Sequence, residues 1–408
     1  MKVSKWTDFL RRFSARLPPG DMINIDASER SNRQLLLDLA MEHGPVFKGL
    51  IEGRHTTFIV GIELGRAFLR THSARLKPYT LDISGIVPFG FIRQMQGETH
   101  RRYRSQLTRA FTASQLDELL NEASDLEAQA LQRYRADADW SPGGWLACCS
   151  DISLRLLCHV FFGISDATAQ SLLIRQFKTL GPIGLVWKIG ARQEAAYRTI
   201  HDHLRECLTH NLVDARALLG SAENQVDDTF LGNLIYMVEM GRYDMSAMYR
   251  TLSRYASSHP AHLRQFVPNS GHGAAQAFVE EELRTDQSER LVRHVLEDIR
   301  FKGWLMPAGS LVRICMWEAH HDPDVFAEPM RFKPERFLTN RPTAQQFSPF
   351  GLDRHQCPFA DLSIKAGIRF VEALAAWTVR QHGDLAPVRG AYHWEVAHDF
   401  SIELGDTP

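Results

Sequence analysis

Residues 347–360, with the sequence FSPFGLDRHQCPFA, place one cysteine in a loop directly before an apolar helical segment. The glycine and prolines around Cys357 predict the loop, and residues 364–379 follow as a helical run. A helix that begins after a cysteine directs its N-terminal amides toward the sulfur, which lowers a thiol pKa and favours the thiolate. The thiolate is the form that binds metal. The alternative is a small buried apolar residue, the usual role of a single cysteine.

The other cysteines give no sign of a zinc site or of a disulfide framework. They form no CxxC pair and no regular spacing, a pattern that fits a reducing cytosol. The six cysteines are Cys148, Cys149, Cys158, Cys207, Cys315 and Cys357.

Length and composition indicate an ordinary globular protein. The chain has 408 residues, of which 44% are hydrophobic and 23% charged, enough for a large core in one or two domains. Its net charge of −1 provides no global field that would recruit nucleic acid or a membrane. No run reaches the ~20 apolar residues of a membrane-spanning helix. The sequence therefore predicts a cytoplasmic protein with no nucleic-acid partner, no membrane span and a single domain over residues 1–408.

The N-terminal segment combines basic residues with a short apolar repeat. Trp6, Phe9, Leu10 and Phe13 recur at helical spacing, which predicts an amphipathic helix packed on the body of the protein. Contact with a membrane surface is the alternative.

Hydrophobic periodicity predicts a mainly α fold with small β-sheets. Residues 45–62 have the pattern of a β-hairpin around Glu52-Gly53-Arg54, and residues 74–96 that of an irregular apolar loop. Strands and helices do not alternate as a βαβ array, which argues against a doubly wound sheet. The predicted helices cover residues 31–43, 97–120 with one break, 115–134, 149–163, 166–178, 191–219, 228–258, 274–285 and 364–379.

The loop around Cys357 resembles the heme-ligand loop of cytochromes P450. In that family a phenylalanine stands seven residues before the cysteine and a histidine or arginine two before it, as Phe350 and His355 do here. The family's glycines four residues before and two after the cysteine are Asp353 and Phe359 in this chain. The second departure matters more, because that glycine lets the backbone pack beside the sulfur and the porphyrin. The resemblance implies the cytochrome P450 fold, heme b as cofactor and Cys357 as the axial ligand of the iron.

Two further motifs follow in the family's order. Glu281 and Arg284 share one face of a predicted helix, and Arg336 lies in a PERF segment similar to that of the family. A surface ion pair is the alternative for the first two residues. The resemblance implies that all three form a structural triad, which braces the heme side of the core and takes no part in the chemistry.

Four basic or donor side chains correspond to the family's partners of the heme propionates. His100 and Arg104 match its H-x-x-x-R motif, Arg293 lies nine residues after Arg284, and His355 precedes the cysteine. Two carboxylates held near a buried macrocycle need charge-assisted partners, because an unpaired buried anion is costly. The alternative for each residue alone is a solvated base on the surface.

The predicted long helix departs from the family in its middle. Oxygen-activating members have alanine, glycine, any residue, an acid and a threonine there. An ungapped count back from His259-Pro260 gives Met240, Gly241, Arg242, Tyr243 and Asp244 at these positions. A shift of one residue places Asp244 at the acid and Met245 at the alcohol, and neither alignment recovers the threonine.

We predict that Arg242, Tyr243 or Asp244 contacts the substrate, with an ion pair to Glu239 or a neighbouring acid as the alternative for Arg242. Without the threonine, three routes remain for the chemistry. A substrate hydroxyl or an ordered water completes the proton relay to dioxygen. Peroxide replaces dioxygen, with Arg242 holding a substrate carboxylate near the iron. Alternatively, the iron catalyses a dehydration, an isomerisation or a coupling.

The irregular apolar loop supplies the other candidate substrate contacts. Residues 182–186, between two predicted helices, are similar to the family's mobile lid. Packing in the core is the alternative for each apolar residue. The candidates are Ile86, Phe89, Phe91 and Ile92, together with Gly241, which matches the family's glycine.

The resemblance implies a heme-thiolate oxidoreductase of the monooxygenase type that oxidises a small organic molecule in specialised metabolism. A separate ferredoxin-type protein would donate the electrons, since the length leaves no room for a flavin or iron–sulfur module. One rival is a heme-thiolate enzyme that does not use the acid–threonine route. The other is a degenerate heme protein that binds a ligand or a carrier protein without turnover.

Overall fold

The computed structural model describes residues 16–25, 32–80, 85–164, 167–181, 189–209, 226–266, 272–286, 291–389 and 394–406. Over these residues the chain is mainly α-helical with small β-sheets, which confirms the predicted fold class. The predicted N-terminal helix and the predicted lid at residues 182–186 lie outside the described residues.

The chain divides into two compact units, each built from several segments. The sheet unit comprises Met1–Tyr79, Leu283–Phe332 and Arg341–Cys357. The helical unit comprises Thr80–Glu282, Lys333–Asn340 and Pro358–Pro408. The single domain expected over residues 1–408 stays a prediction.

The sheet unit is organised around a five-stranded sheet with the order β1-β2-β7-β4-β3. The pair β2–β7 is parallel, and the other three pairs are antiparallel. These strands are β1 (Val46–Ile51), β2 (Arg54–Val60), β3 (Leu76–Pro78), β4 (Leu291–Val295) and β7 (Leu311–Cys315). A separate hairpin pairs β5 (Ile299–Phe301) with β6 (Trp304–Met306). The helices of this unit are α1 (Leu35–His43), α2 (Ile62–His72) and α12 (Met316–Ala319).

Both faces of this sheet carry buried apolar clusters, because its central strands alternate between two covered sides. The predicted hairpin is confirmed, with its turn at Glu52 and Gly53, where φ is 51° and 72°. One cluster includes Val46, Ile59, Val312, Ile314, Phe68 of α2 and Leu352. The other includes Phe47, Phe58, Leu311 and Leu36 of α1.

The helical unit is built from helices and two small two-stranded sheets. The sheets pair β8 (Val379–His382) with β11 (Ser401–Leu404) and β9 (Val388–Arg389) with β10 (Trp394–Glu395). Its helices are α3 (Gly97–Ala110), α4 (Ala113–Glu122), α5 (Leu126–Asp137), α6 (Pro142–Phe162), α7 (Ala167–Leu180), α8 (Ala191–Thr209), α9 (Asp228–Ser258), α10 (Pro260–Leu263), α13 (Glu335–Thr339) and α14 (Ala360–Leu374). Helix α11 (His272–Asp286) begins in this unit, and its last residues belong to the sheet unit.

The longest of these helices, α9, has the predicted bounds. Asp227 caps its N-terminus by accepting a hydrogen bond from the Phe230 N–H at 2.8 Å. Its C-terminus falls directly before His259-Pro260, because proline at the next position disfavours continued helix.

Three helix predictions were wrong, one in its continuity and two in their ends. The helix predicted over residues 149–163 begins at Pro142, where the Ser141 side chain accepts a hydrogen bond from the Gly144 N–H at 3.0 Å. The helix predicted over residues 115–134 is divided into α4 and α5. Arg369 of α14 donates to the carbonyl oxygens of Leu120 and Ala123 at the break and pairs with Glu127 of α5 at 2.6 Å. These contacts satisfy the carbonyls that a helix end leaves free. The helix predicted to reach Val379 ends at Leu374, because Val379 begins a strand that pairs with Leu404.

Helix α6 is long and apolar enough to cross a membrane by length and composition alone, so the expected absence of a membrane span stays a prediction. It has 21 residues, with a mean hydropathy of 1.4 in its most apolar window, and that window is 72% buried inside the protein. This helix packs against α9 and α5 as a central element of the helical unit. A core helix of a globular protein has the same length and composition.

Candidate functional site

The loop that carries Cys357 is closed by short-range hydrogen bonds. The Cys357 N–H donates to the Phe350 carbonyl at 2.9 Å, and the Ser348 hydroxyl donates to the Gly351 carbonyl at 2.8 Å. Gly351 has φ 90°, a conformation that favours glycine. A 3-10 turn at Asp353–His355 then leads to the cysteine. The sequence prediction of a loop is confirmed.

A buried histidine joins this loop to the rest of the sheet unit. His320 Nε2 accepts a hydrogen bond from the Ser348 N–H at 3.1 Å, and the rings of His320 and Phe347 are 5.1 Å apart. The His320 carbonyl in turn accepts from Arg284 Nη1 at 2.9 Å. Burial holds the pKa of His320 well below its ordinary value, so the ring is neutral and can accept this bond. Sequence reasoning missed His320, because its partners are far away along the chain.

Cys357 differs from the other cysteines in its exposure. Cys357 is exposed, whereas Cys148 is half-buried and the remaining four are buried. Burial raises the pKa of Cys148 and of Cys158 to about 12, which disfavours the thiolate at these positions. The exposed thiol is the one that the sequence predicts to be a metal ligand.

The phenylalanine that replaces the family's second loop glycine has a defined place. Phe359 is buried, and its ring lies 5.2 Å from that of Phe111 and 4.6 Å from that of Phe161. It is also the residue that precedes the first turn of α14. The larger side chain is therefore taken up by the aromatic core of the helical unit.

The sheet unit also contains Arg293, another predicted cofactor contact. Arg293 is 3% exposed and pairs in register with Val312 of β7. Since paired residues face the same side of a sheet, Arg293 lies on the face whose cluster contains Val312 and Leu352. Leu352 directly precedes the turn with His355, which is half-buried. Arg293 and the cysteine loop are thus on the same side of this sheet.

The helical unit contains the other two predicted propionate partners. His100 and Arg104 both lie on α3, one turn apart, so they share a face as predicted. His100 is 5% exposed, and Arg104 is half-buried. Both positions combine a basic group with partial removal from water.

The predicted bracing residues make buried contacts within their units. Glu281 is 0% exposed and accepts hydrogen bonds from the Lys333 N–H at 2.8 Å and from Arg336 Nε at 3.1 Å. Arg284, also 0% exposed, donates to the carbonyls of His320 at 2.9 Å and Arg331 at 3.3 Å. These are tertiary contacts of the core, not the exposed ion pair considered as the alternative.

In the middle of α9, Arg242 forms a bidentate ion pair with Glu239. Its Nε and Nη2 atoms each lie 2.9 Å from a carboxylate oxygen of Glu239, which is 0% exposed. Nη2 also donates to the Tyr243 hydroxyl at 2.5 Å and to the Phe177 carbonyl of α7 at 3.3 Å. Burial, followed by the Glu239 charge, raises the pKa of Tyr243. The structure thus shows the ion pair considered as the alternative for Arg242.

A stripe of α9 remains open although most of this helix is buried. Asp244 is exposed, and Met240 and Ala247 are half-buried, at helical spacing of four and three residues. Gly241 lies outside this stripe, since a side chain at its position would meet Leu157 of α6 at 3.4 Å. Met240 and Ala247 were missed because the sequence does not show which face of a helix its neighbours leave uncovered.

The predicted substrate loop packs on the same helix. Phe91 is half-buried with its ring 4.1 Å from that of Tyr236, and Ile92 is 6% exposed. Ile86 is half-buried. Phe89 is 70% exposed with φ 59°, so its side chain is not part of this packing. Asn233, which sequence reasoning missed, contacts the loop backbone.

Comparison with known proteins agrees with this arrangement. A family model for cytochrome P450 matches residues 274–366, which include Glu281, Arg284, Arg336 and Cys357. The "Putative cytochrome P450 138" of Mycobacterium bovis is 25% identical over 397 residues, covering 86% of this chain and 88% of that protein. An abscisic acid 8'-hydroxylase of Solanum lycopersicum is 38% identical over 71 residues, 17% of this chain and 15% of that protein.

A solved structure with a similar fold covers nearly the whole chain. Retinoic acid bound cyanobacterial CYP120A1 superposes with a TM-score of 0.77 at 19% identity, covering 96% of this chain and 99% of the other. The fold is that of a cytochrome P450, and the segment matched by the family model contains the loop cysteine. The chain is thus similar to bacterial cytochromes P450 in sequence and in fold, and this similarity supports an oxidoreductase.

Proposed function

We propose that this protein is a heme b monooxygenase that oxidises a small, mainly apolar organic molecule, with Cys357 as the ligand of the iron. The observation that carries the proposal is the exposed Cys357 thiol on an anchored loop, in a chain whose other cysteines are buried or half-buried. An exposed thiol suits a metal ligand, and basic side chains partly removed from water suit the two carboxylates of a macrocycle.

Different side chains of the protein would bind the iron and the propionates of the heme. The thiolate of Cys357 would hold the iron, and His100, Arg104, Arg293 and His355 would pair with the propionates. When bound, the heme supplies the oxidising power for insertion of oxygen into an organic substrate. His320 keeps the cysteine loop in place through its bond to the Ser348 N–H at 3.1 Å.

The open stripe of α9 and the apolar loop would receive the substrate. Met240 and Ala247 offer apolar contact, and Asp244 is an exposed carboxylate able to hold or release a proton on this stripe. Phe91 and Tyr236 form an aromatic wall beside it. Such a site, apolar with few polar groups, suits a hydrophobic molecule from specialised metabolism.

A second function is favoured by one observation on α9, a helix that the structure describes in full. Its open stripe holds no hydroxyl, while the Tyr243 hydroxyl is engaged by Arg242 and the Ser246 hydroxyl is 3.4 Å from that of Ser150. A protein without the alcohol of the usual relay suits oxidation with peroxide, or isomerisation, dehydration or coupling, as well as oxidation with dioxygen.

The electron donor in the first proposal is a separate ferredoxin-type protein in the cytoplasm. Turnover with reduced ferredoxin and oxygen-18 gas distinguishes the two functions. Labelled product supports the monooxygenase, whereas unlabelled product or turnover with peroxide alone supports the second.

Substitution of the cysteine tests the proposal directly. The reduced wild-type protein with carbon monoxide should show the Soret band of a thiolate complex, and Cys357→Ser should lose it. Cys148→Ser is the matched control, since Cys148 is half-buried and should keep the band. A wild-type protein without this band, or a Cys357→Ser variant that retains it, contradicts the proposal.

A further inference from the structure

The apolar loop at residues 85–95 is fastened to α9 by one buried amide. Asn233 is 1% exposed, and its Oδ1 accepts a hydrogen bond from the Ile92 N–H at 2.6 Å. Its Nδ2 donates to the Gly90 carbonyl at 3.3 Å and to the Thr229 carbonyl of α9 at 2.8 Å. The side chain thus binds its own helix and both peptide groups that flank Phe91.

The neighbouring residue of α9 brings the loop close to the helix. A side chain at Gly232 would lie 2.9 Å from Val87 and 2.6 Å from the Tyr197 hydroxyl. Val87 is 0% exposed, so the loop inserts this side chain against the bare helix surface. Glycine at this position permits the contact, and Asn233 supplies the hydrogen bonds.

The loop covers one end of a single helix face. Thr229, Asn233 and Tyr236 lie on that face at spacing of four and three residues. The next positions along it are Met240 and Asp244, which belong to the open stripe. Phe91 packs on Tyr236 with a ring separation of 4.1 Å, at the boundary between the covered and the open part.

We propose that Asn233 is a positioning residue that sets the length of the apolar substrate this enzyme accepts, by holding Phe91 against Tyr236. The effect of Asn233 on substrate length rests on the proposed function. The contact of Asn233 with the loop is independent of heme chemistry. Loss of the amide leaves the buried Ile92 N–H without its partner, and the loop then separates from the helix more readily.

Hydrogen exchange of the full-length, heme-loaded protein tests the contact. In Asn233→Ala, amides of residues 85–95 should exchange about tenfold faster than in the wild type, as expected for loss of a buried hydrogen bond. Ser253→Ala is the matched control, because Ser253 is also buried on α9 and donates a hydrogen bond to the Tyr249 carbonyl of the same helix at 2.7 Å. Equal exchange of residues 85–95 in the two variants overturns the role of Asn233.

The substitution Asn233→Asp should make loop exchange depend on pH, which a general loss of stability would not do. Asn233→Asp can accept from the Ile92 N–H, but when ionised it cannot donate to the carbonyls of Gly90 and Thr229. The ratio of variant to wild-type exchange in the loop should therefore rise with pH and fall when the carboxyl is protonated. A ratio that does not change with pH contradicts the proposed hydrogen bonding.

A series of n-alkylbenzenes from toluene to hexylbenzene tests the link to substrate length. Calorimetric affinity of the wild type should increase with chain length up to a limit and then fall, and Asn233→Ala should move that limit to a longer chain. An unchanged limit, or no binding of any member by the wild type, overturns the assigned substrate class. Failure of the proposed function is seen separately, as loss of the thiolate band in the wild-type spectrum.

Discussion

Two buried ion pairs of the helical unit differ in how far apart their residues lie in the sequence. Glu281 of α11 and Arg336 of α13 are 55 residues apart, and their pairing joins two separate segments. Glu239 and Arg242 are three residues apart on α9, and their pairing joins two turns of one helix. In both pairs the glutamate is 0% exposed.

The family resemblance implies an architectural role for the Glu281–Arg336 pair, whereas the Glu239–Arg242 pair lies where the chain departs from the family. The Glu281–Arg336 pair also binds the Lys333 backbone at 2.8 Å, so it fixes where a distant segment lies. The Glu239–Arg242 pair occupies the part of α9 where the sequence lacks the family's acid and threonine. The two charged groups of this pair are buried, and Asp244 is the exposed acid of the open stripe.

The largest effect is expected when the long-range pair is broken. Arg336→Met should lower the free energy of unfolding by about 4 kcal/mol, because it leaves the Glu281 carboxylate buried without its cation. Chemical denaturation measures this change. Lys365→Met is the control, since its pair with Asp117 also joins distant segments but is exposed, and its loss should cost less than about 1 kcal/mol. Similar losses of unfolding free energy in the two variants would contradict a larger contribution of the buried pair.

A smaller effect is expected for the pair within α9. Arg242→Met should lower the free energy of unfolding by about 3 kcal/mol, and Glu239→Leu combined with Arg242→Met should regain most of it, because no unpaired charge stays buried. The control is Arg331→Met, whose i,i+3 partner Glu328 is exposed. If the double variant is no more stable than the single one, desolvation of Glu239 is not the cause.

The stability of the folded protein should fall in acid, and part of this loss should come from the sheet unit, where two neighbouring histidines are buried. Burial, followed by the charge of Arg284, lowers the pKa of His321 from 6.5 to about 3. Below pH 6.5 the unfolded chain binds a proton that the folded chain does not, so stability is full above this pH and falls toward pH 3. Each such histidine contributes about 1.4 kcal/mol per pH unit within this window.

Denaturation at a series of pH values measures this slope. His321→Phe keeps a ring that can stack on Trp317, whose ring lies 3.9 Å away. The slope of the unfolding free energy against pH should then fall by the contribution of one proton. His382→Phe is the control, because the His382 side chain is 48% exposed, and it should leave the slope unchanged. An unchanged slope in His321→Phe assigns the acid sensitivity to other groups.

The sequence predicted the elements that have strong local signals. Helix α9 lies between the capping Asp227 and Pro260, and the hairpin turns at Glu52-Gly53, where a few adjacent residues decide the structure. The cysteine loop was identified for a different reason, because several motifs of one family occur in the family's order. No similar signal exists for features that depend on distant partners.

The missed features all depend on contacts between remote segments. Arg369 divides a helix of apparently continuous periodicity by binding carbonyls almost 250 residues away. Asn233 contacts Ile92, and His320 contacts Ser348, through backbone groups that carry no residue identity. The Glu239–Arg242 spacing was visible in the sequence, but its burial was not.

Phe359, two residues after the predicted ligand Cys357, shows how packing elsewhere constrains a residue of this loop. Its ring now occupies the space between Phe111 and Phe161 in the helical interior. Phe359→Gly would open a void as large as an aromatic ring, so a glycine at this position would need compensating changes in the core. The packing of Phe111 and Phe161 therefore limits which side chains position 359 can accept.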